Sequence, residues 1–418
     1  MSATTKKSIM QGTAILAVVG IICKLIGVFF RIPLTKMVGD SGMAIYEAVY
    51  PTYSLLLTIS SAGIPVAVSR MVSHCVNRND PRNAKRIFQV ALTSLAILGF
   101  AAMAIMVVFR GTLSWWVKDG AGEATLGFVM IAPSVLIVCV MSAFRGFLQG
   151  QQKMAPTAMS QLIEQVAKVS ISLPLASLGM KMGPQIGLPP YAAGATFALL
   201  GISIGEGFAL VYMGYKFYQN RKEFARIEQN PEEEPLTAKL IAWRLFVVAL
   251  PITAGACIVP LSSFIDSGMI RGLLMQAGFS HDFARDTYGR YAGIVITYIN
   301  VPTALAIAVT MATVPAISAG VSRKDYAYVK EQSHLGLRYA FIIGLPCAVG
   351  MSLLAEPLIR LFFNNENVWQ TANMLRLSAF TIIFFTVVQT TSSILQGLRK
   401  QRIPMYTLMA GVVVKIVL

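Results

Sequence analysis

Long apolar segments recur along the whole sequence and are separated by short turns rich in Lys and Arg. A helix needs ~20 apolar residues to cross the hydrocarbon core of a bilayer, and these segments have about that length. A transmembrane β-barrel would show short segments of alternating polarity instead, a pattern that this sequence lacks. With 55% hydrophobic and 13% charged residues, the sequence predicts an all-α, multi-pass integral membrane protein.

The predicted spans form two groups on either side of one long polar stretch. That stretch, 221–243, contains Glu232, Glu233 and Glu234 and is predicted to be a cytoplasmic linker. Residues 1–220 then form an N-lobe of six spans, and residues 244–418 form an incomplete C-lobe of about five. The predicted spans lie near residues 8–36, 44–72, 87–109, 124–148, 155–180, 191–216, 244–269, 291–321, 336–356, 371–397 and 404–418.

Two pairs of similar segments indicate that the lobes are pseudo-symmetric. The segment starting at Leu148 resembles that starting at Leu395, and the segment at Ile64 resembles that at Val314. An even number of spans separates the members of each pair, which indicates parallel repeats around an axis along the membrane normal. Chance similarity between apolar segments is the alternative. Because 404–418 is too short to cross a bilayer, we expect the chain to be truncated at its carboxyl end.

The Lys and Arg residues of the loops are distributed unequally. One set of alternate loops holds 22 of them and the opposite set holds 8. Cytoplasmic loops carry the excess of basic residues, so the amino terminus is predicted to lie in the cytoplasm. This topological bias also accounts for the net charge of +16, which therefore does not favour nucleic-acid binding.

Two basic residues, Lys24 and Arg31, lie inside the first apolar segment. On a helix they share one face with Gly20 and Gly27. A charged side chain at the bilayer centre costs ~2.5–3.5 kcal/mol on insertion scales, so two such side chains on one helix face require a structural or functional explanation. Snorkelling towards the interfaces is the alternative, and it suits Arg31 better than the more central Lys24. We favour a basic face that lines a polar cavity within a helix bundle.

The predicted fifth span carries several polar side chains on a single face. Its charged members, Glu164 and Lys168, have the i, i+4 order that favours an ion pair. Interhelical polar contacts that hold the lobe together are the alternative. The number of polar positions favours the wall of a water-accessible cavity, with Glu164 and Lys168 as substrate-binding candidates. The face consists of Thr157, Gln161, Glu164, Gln165, Lys168 and Ser172.

Two further acidic residues are candidates for binding a coupling ion. Glu206 lies in the middle of the predicted sixth span between Gly205 and Gly207. A proton or cation site and an interhelical hydrogen bond are equally supported for this residue. Asp266 lies near the outer end of the predicted seventh span, where we favour an interfacial, snorkelling position.

Motifs for catalysis, nucleotides or metals do not occur in the sequence. Its five cysteines are scattered, without a CxxC or Cys/His spacing, and its three histidines are far apart. Neither a P-loop nor a nucleophile elbow is present. The sequence therefore predicts a protein that is not an enzyme and that uses no cofactor or metal.

One resemblance covers essentially the whole chain. Its most specific parts are KLIGVFFRIPLTKMVGDSGMAIYEAVYPTYSLLLTISSAGIPVAVSRMVS in the first two predicted spans and RGFLQGQQKMAPTAMSQLIEQ at the fourth-to-fifth turn. These segments resemble the polysaccharide-biosynthesis transporters of the MOP superfamily, particularly the SpoVB/YtgP group related to the lipid II flippase MurJ. The resemblance implies two six-helix lobes around a central cavity and export by alternating access.

The resemblance also implies roles for particular residues. Such proteins use basic residues in the first span, where Lys24 and Arg31 occupy matching positions, and an acidic residue early in the second span, for which Glu47 is the nearest candidate. The sequence departs from the better known Gram-negative pattern in two places. The second span has no arginine in its middle, and the eighth offers Tyr298 and Asn300 where a basic residue is expected.

The resemblance implies export of an undecaprenyl-pyrophosphate-linked sugar across the bacterial cytoplasmic membrane, and with the basic first span it predicts a monomeric flippase. Its expected partners are the lipid-linked glycan, membrane lipids and a coupling proton or cation. A MATE-like drug antiporter is one alternative, although it calls for a cavity dominated by carboxylates and aromatics. A non-transporting membrane partner of cell-wall or spore machinery is another, and it would tolerate charge reversal at Lys24 or Arg31.

Overall fold

Every regular element is helical in the computed structural model, which describes residues 3–224, 235–363 and 367–417. The first helix, α1 (Ala3–Ser61), contains the first predicted span and most of the second. The expected turn between those spans is a single non-helical residue, Gly39, with φ 69° and ψ −174°. This backbone conformation is essentially restricted to glycine, so Gly39 sets the position of the break.

Most of the remaining long helices overlap the predicted spans. In the first half they are α2 (Ile64–Asn77), α3 (Pro81–Val108), α4 (Arg110–Trp116), α5 (Thr125–Gly150), α6 (Ala155–Met182), a short 3₁₀-helix (Gly183–Ile186) and α7 (Pro190–Phe224). In the second half they are α8 (Ala238–Ala256), α9 (Ile258–Gln276), α10 (His281–Gly289), a π-helical segment (Arg290–Val295), α11 (Ile296–Ser322), α12 (Tyr326–Leu353), α13 (Ala355–Phe362), α14 (Val368–Ser378), α15 (Thr381–Gly397) and α16 (Arg402–Val417).

Helices α3 and α12 begin earlier than hydropathy predicts. Asp80 caps α3 by accepting a 3.0 Å hydrogen bond from the Asn83 N–H, and Asp325 caps α12 through the Tyr328 N–H at the same distance. Side-chain caps of this kind satisfy the free N–H groups of a helix start. The helices therefore extend beyond the apolar segments into polar sequence.

The predicted seventh span is divided in the structure. Helix α8 ends at Ala256 and α9 begins at Ile258, whereas one span was expected over 244–269. Pro260 lacks the N–H that would bond to the Ala256 carbonyl, which weakens the helix at this position. The predicted tenth span is likewise divided, because α14 and α15 meet at a bend of 41°.

Seven of the described helical stretches are long and apolar enough to cross a membrane, or eight if the bent pair α14–α15 counts as one span. The first of these, Val18–Asn77, is 60 residues long and covers two predicted spans. Helix α6, predicted as the fifth span, is outside this set, since Glu164 and Lys168 lower its hydropathy. The chain is therefore a multi-pass membrane protein.

The chain divides into two compact units. The first unit comprises Met1–Cys23 and Ile45–His281, and the second comprises Lys24–Ala44 and Asp282–Leu418. Helices α8 and α9 thus pack with the first unit, although they follow the predicted linker. Residues 225–234 of that linker lie outside the described residues. The pseudo-symmetric lobes at 1–220 and 244–418 remain a prediction.

Within the first unit, α6 and α7 pack so closely that side chains are excluded between them. A Cβ atom on Gly201 would lie 2.5 Å from the Ser172 Cα, and one on Gly205 would lie 2.9 Å from the backbone nitrogen of Lys168. Helix backbones approach this closely only where glycine removes the side chain. This contact fixes the polar face of α6 relative to Glu206 on α7.

Candidate functional site

A buried carboxyl group, that of Glu206, lies in the interior of the first unit and is 3% exposed. The Tyr53 hydroxyl on α1 donates a 2.7 Å hydrogen bond to its Oε1, and the Ser134 hydroxyl on α5 donates to its Oε2. A buried carboxyl group is costly unless its oxygens are hydrogen-bonded or its charge is neutralised. The three helices therefore present a satisfied acidic group, which is chemically suited to bind and release a proton or a small cation.

A second polar cluster connects α5 and α6 in the same unit. The Arg145 guanidinium lies 3.0 Å from Glu164 Oε2 and also donates a 3.0 Å hydrogen bond to the Ser160 hydroxyl. The side chains of Arg145 and Glu164 are 14% and 22% exposed. Arg145 is one of the 22 basic residues counted above as loop residues, because it lies near the end of an apolar segment. The structure instead makes it a partner of a predicted site residue.

The predicted polar face of α6 is partly packed and partly accessible. Thr157 and Ser172 are fully buried, so the two ends of the face contact other helices. This burial agrees with the alternative of interhelical contacts that hold the lobe together. Lys168 is partly exposed, and its ammonium lies 5.3 Å from the centroid of the Tyr50 ring. This distance allows a cation–π interaction that holds the charge in place.

Arg31 lies in the second unit and is held by the start of the predicted eighth span. Its guanidinium donates to the Ala292 carbonyl at 3.2 Å and to the Thr297 hydroxyl at 3.4 Å. Ala292 belongs to the π-helical segment, whose geometry displaces carbonyls from the regular α-helical pattern. Arg31 therefore connects α1 to this segment, a contact that sequence analysis did not predict.

Lys24 differs from Arg31, Arg145 and Lys168, each of which has a contact partner. Its side chain is exposed, and within the described parts of the chain it forms no hydrogen bond or ion pair. An ammonium group without an acidic partner in an apolar segment is energetically costly unless water or an anion accompanies it. Lys24 is thus chemically available to an anionic ligand.

An ion pair at the Gly39 break was also missed by sequence analysis. Arg290 Nη1 lies 3.5 Å from Asp40 Oδ2, and the Arg290 side chain is 3% exposed. Arg290 also donates a 3.1 Å hydrogen bond to the Thr287 hydroxyl. Arg290 is one of the 8 basic residues counted above in the opposite set of loops, because it directly precedes the predicted eighth span.

The predicted site residues are divided between the units. Glu47, Glu164, Lys168, Glu206 and Asp266 lie in the first unit, and Lys24 and Arg31 lie in the second. Glu47 is 6% exposed on α1, and Asp266 is partly exposed on α9. The structure places Glu164 and Lys168 on α6, which packs against α7, the helix that carries Glu206. The assignment of these residues to substrate or ion remains a prediction.

Comparison with known proteins identifies the family. A model of the family described as "Polysaccharide biosynthesis protein" matches residues 9–321, and the MatE family model matches residues 292–418. The first match covers well over half of the chain.

Curated relatives from Bacillus subtilis (strain 168) match nearly the full chain. The protein named lipid II flippase MurJ is 28% identical over 98% of this chain and 76% of its own length. Stage V sporulation protein B is 26% identical over 98% of this chain and 77% of its own length.

Solved structures share the fold at low sequence identity. An inward-facing MATE-family multidrug-resistance transporter of the MOP superfamily aligns with a TM-score of 0.70 and 16% identity, over 94% of this chain and 84% of its own. A MOP-superfamily transporter from Pyrococcus furiosus aligns with a TM-score of 0.63 and 16% identity, over 95% and 84%. The chain therefore belongs to the polysaccharide biosynthesis protein family and is a multi-pass membrane transporter with the MOP-superfamily fold.

Proposed function

We propose that this chain moves an undecaprenyl-pyrophosphate-linked sugar from the cytoplasmic to the outer leaflet of the cytoplasmic membrane. The substrate would be a lipid II-like precursor or a polysaccharide repeat unit. The activity would be translocation by alternating access, without a chemical reaction. Three observations support the proposal: membership of the polysaccharide biosynthesis protein family, the flippase among the curated relatives, and the basic residues within the apolar helices.

The observation that carries the proposal is the availability of Lys24. Arg145 is neutralised by Glu164 and Arg290 by Asp40, whereas Lys24 has no ion pair with any residue that the structure describes. A pyrophosphate supplies two adjacent anionic groups, which form charge-assisted hydrogen bonds with ammonium and guanidinium groups. An unpaired ammonium in an apolar segment favours such a ligand over an organic cation.

An apolar cavity in the second unit supports binding of the prenyl chain. It has a volume of about 250 Å³ and is lined by Phe29, Ile32, Tyr298, Met351 and Phe362, among others. Thr297, which accepts a hydrogen bond from Arg31, is also part of its wall. In this proposal the isoprenoid chain contacts the apolar wall while the pyrophosphate binds the basic residues of α1.

Glu206 would couple transport to a proton or cation. Its carboxyl group is buried and has one hydroxyl donor for each oxygen. A change in its protonation alters the charge inside the first unit and thereby biases the conformational equilibrium.

A second candidate function is a cation-coupled exporter of organic cations. The observation that favours it is the buried pairing of an acidic residue, Glu206, with an aromatic residue, Tyr53. In that case Glu206 would bind the exported cation, and removal of the Lys24 charge would leave export intact.

The test is complementation of a MurJ-depleted bacterium, with exposure of lipid II on the outer leaflet as the readout. We expect the unaltered chain to restore growth and exposure, Lys24→Arg to retain them, and Lys24→Gln to lose most of both. The matched control is Lys36→Gln, because Lys36 is an exposed lysine on the same helix. Membrane insertion of each variant is measured in parallel.

Two results would contradict the proposal. Equal rescue by Lys24→Gln and the unaltered chain would remove Lys24 from substrate binding. Failure of a correctly inserted unaltered chain to expose lipid II would exclude that substrate, and radiolabelled polyprenyl-linked repeat units would then distinguish another glycan from an organic cation.

A further inference from the structure

A basic pocket lies in the first unit, away from the residues assigned above. It has a volume of about 400 Å³, within the ~300–1,000 Å³ typical of ligand sites. Its polar wall is formed by Arg70, His74 and Arg244, and its apolar wall includes Ile87 and Val247. Helices α2, α3 and α8 each contribute to it, so the pocket is formed by tertiary packing.

The helices around the pocket are joined above and below it. At one end the Leu236 N–H donates a 2.8 Å hydrogen bond to the Asn83 side chain, whose amide donates to the α3 cap Asp80 at 2.7 Å. At the other end the Gly63 N–H donates to the Thr253 hydroxyl at 3.1 Å, and a Cβ on Gly63 would collide with the Ala249 carbonyl. The pocket is therefore preformed in the first unit.

Both arginines of the pocket are available for a ligand. The side chains of Arg70 and Arg244 are exposed, and neither they nor His74 form a hydrogen bond or ion pair with another residue of the described ranges. Each arginine lies seven residues from a helix end, at Asn77 and Thr237, which is ~10 Å along a helix axis. The two guanidinium groups are thus at similar depth near the basic, predicted cytoplasmic end of the unit.

We propose that this pocket binds an anionic phospholipid from the cytoplasmic leaflet. The lipid phosphate would pair with Arg70 and Arg244, and the start of an acyl chain would lie against Val247 and the exposed Trp243 ring. Basic pockets between transmembrane helices on the cytoplasmic side are suited to acidic lipid headgroups. The apolar wall favours a lipid over a free anion, because inorganic phosphate gains nothing from contact with valine, isoleucine or tryptophan side chains.

The experiment uses the fluorescence of Trp243 and the full-length chain in lipid nanodiscs. The nanodiscs are phosphatidylcholine with a minor fraction of either phosphatidylglycerol or phosphatidylcholine that is brominated close to the glycerol. The difference in quenching between the unaltered chain and Trp243→Phe isolates the signal of the pocket. We expect brominated phosphatidylglycerol to quench at a mole fraction about tenfold lower than brominated phosphatidylcholine.

Variants of the pocket test whether it causes the preference for phosphatidylglycerol over phosphatidylcholine. Arg70→Gln/Arg244→Gln is expected to abolish it, and Val248→Phe, which narrows the pocket but retains both arginines, is expected to weaken it. Arg323→Gln/Lys400→Gln removes the same net charge from exposed loops on the same predicted side and is expected to retain it. The comparison of the two brominated lipids uses only the unaltered chain and Trp243→Phe, so it does not depend on the folding of the charge or Val248 variants.

Three outcomes would overturn the proposal. The first is equal quenching by the two lipids. The second is loss of the preference on addition of inorganic phosphate but not of chloride at the same ionic strength, which would indicate a free-anion site. The third is a several-fold increase in quenching by brominated phosphatidylglycerol in Glu232→Gln/Glu233→Gln/Glu234→Gln. That result would indicate that the acidic linker occupies the pocket in the unaltered chain. An unchanged lipid preference in this variant supports the phospholipid as the ligand.

Discussion

The Tyr53 hydroxyl donates a 2.7 Å hydrogen bond to Glu206 across the interior of the first unit. Both side chains are almost completely buried, at 4% and 3% exposed. The bond joins α1 to α7, and Ser134 adds α5 to the same carboxyl group. A single acidic residue thus organises three helices.

The first prediction concerns the strength of this bond. Interhelical hydrogen bonds in membranes contribute on average ~0.6 and at most ~1.7 kcal/mol. We expect Tyr53→Phe to lower the free energy of unfolding by about 1 kcal/mol, and the double-mutant cycle with Glu206→Met to give a coupling energy of similar size. Reversible unfolding in mixed detergent measures both. The control is Tyr212→Phe on α7, whose hydroxyl has no hydrogen-bond partner in the described structure; a zero coupling energy would contradict the prediction.

The second prediction concerns Arg145 and Glu164, which lie 3.0 Å apart. Removal of one partner leaves the other charge partly buried and unpaired, whereas removal of both does not. We expect Arg145→Gln to lower the free energy of unfolding by about 1–3 kcal/mol, and Arg145→Gln/Glu164→Gln to lower it by less.

Thermal unfolding of the purified protein measures these changes. The matched control is the exposed pair of Arg360 and Glu356, at 2.9 Å, where Arg360→Gln is expected to change stability by less than ~1 kcal/mol. A double variant less stable than Arg145→Gln alone would show that the pair does not interact as described.

The third prediction concerns the break in α1. At φ 69° and ψ −174°, Gly39 has a conformation that a side chain makes unfavourable by ~1–3 kcal/mol, and Gly39→Ala is expected to destabilise the protein by that amount. A Cβ at Gly39 would contact nothing within 4 Å, so the loss would come from the backbone alone.

Gly20→Ala is the control for the same helix. Gly20 also has open space around its Cβ direction but lies in regular helix, where alanine is favoured by up to ~1 kcal/mol. We expect opposite signs for the two substitutions. Equal effects on the unfolding free energy would contradict the role of Gly39 as a fixed break.

The positions of the helices could be predicted from the sequence to a large extent. Apolar segments of bilayer length leave few alternatives to helix, because the backbone must satisfy its own hydrogen bonds in lipid. Prolines and glycines then mark several helix ends, as at Gly63, the N-cap of α2, and Pro65 in its first turn. The caps at Asp80 and Asp325 lie in polar sequence, where hydropathy carries no signal, so the early starts of α3 and α12 were missed.

The partners of the polar residues could not be predicted in the same way. Helical periodicity predicts which residues share a face of one helix, such as Glu164 and Lys168 on α6. It contains no information about which residue of another helix faces them. The contacts of Arg145 with Glu164 and of Arg290 with Asp40 depend on tertiary packing over large sequence separations.

The fourth prediction concerns topology. The bias of Lys and Arg predicts that the turn after α2 is cytoplasmic and that the turn before α5 is outside. In a background without the five native cysteines, we expect a membrane-impermeant maleimide to label Ala121→Cys in intact cells and Asn79→Cys only after permeabilisation. Both positions are exposed in turns. The reverse labelling pattern would invert the assigned orientation.

The close approach of α6 and α7 at Gly201 and Gly205 leaves these helices no room to slide past each other. We therefore expect them to move together in a transport cycle. Spectroscopic labels on exposed residues of the pair, such as Val166 and Val211, will keep a constant separation. A distance from either label to a third helix then reports the displacement of that helix relative to the α6–α7 pair, without a contribution from motion within the pair.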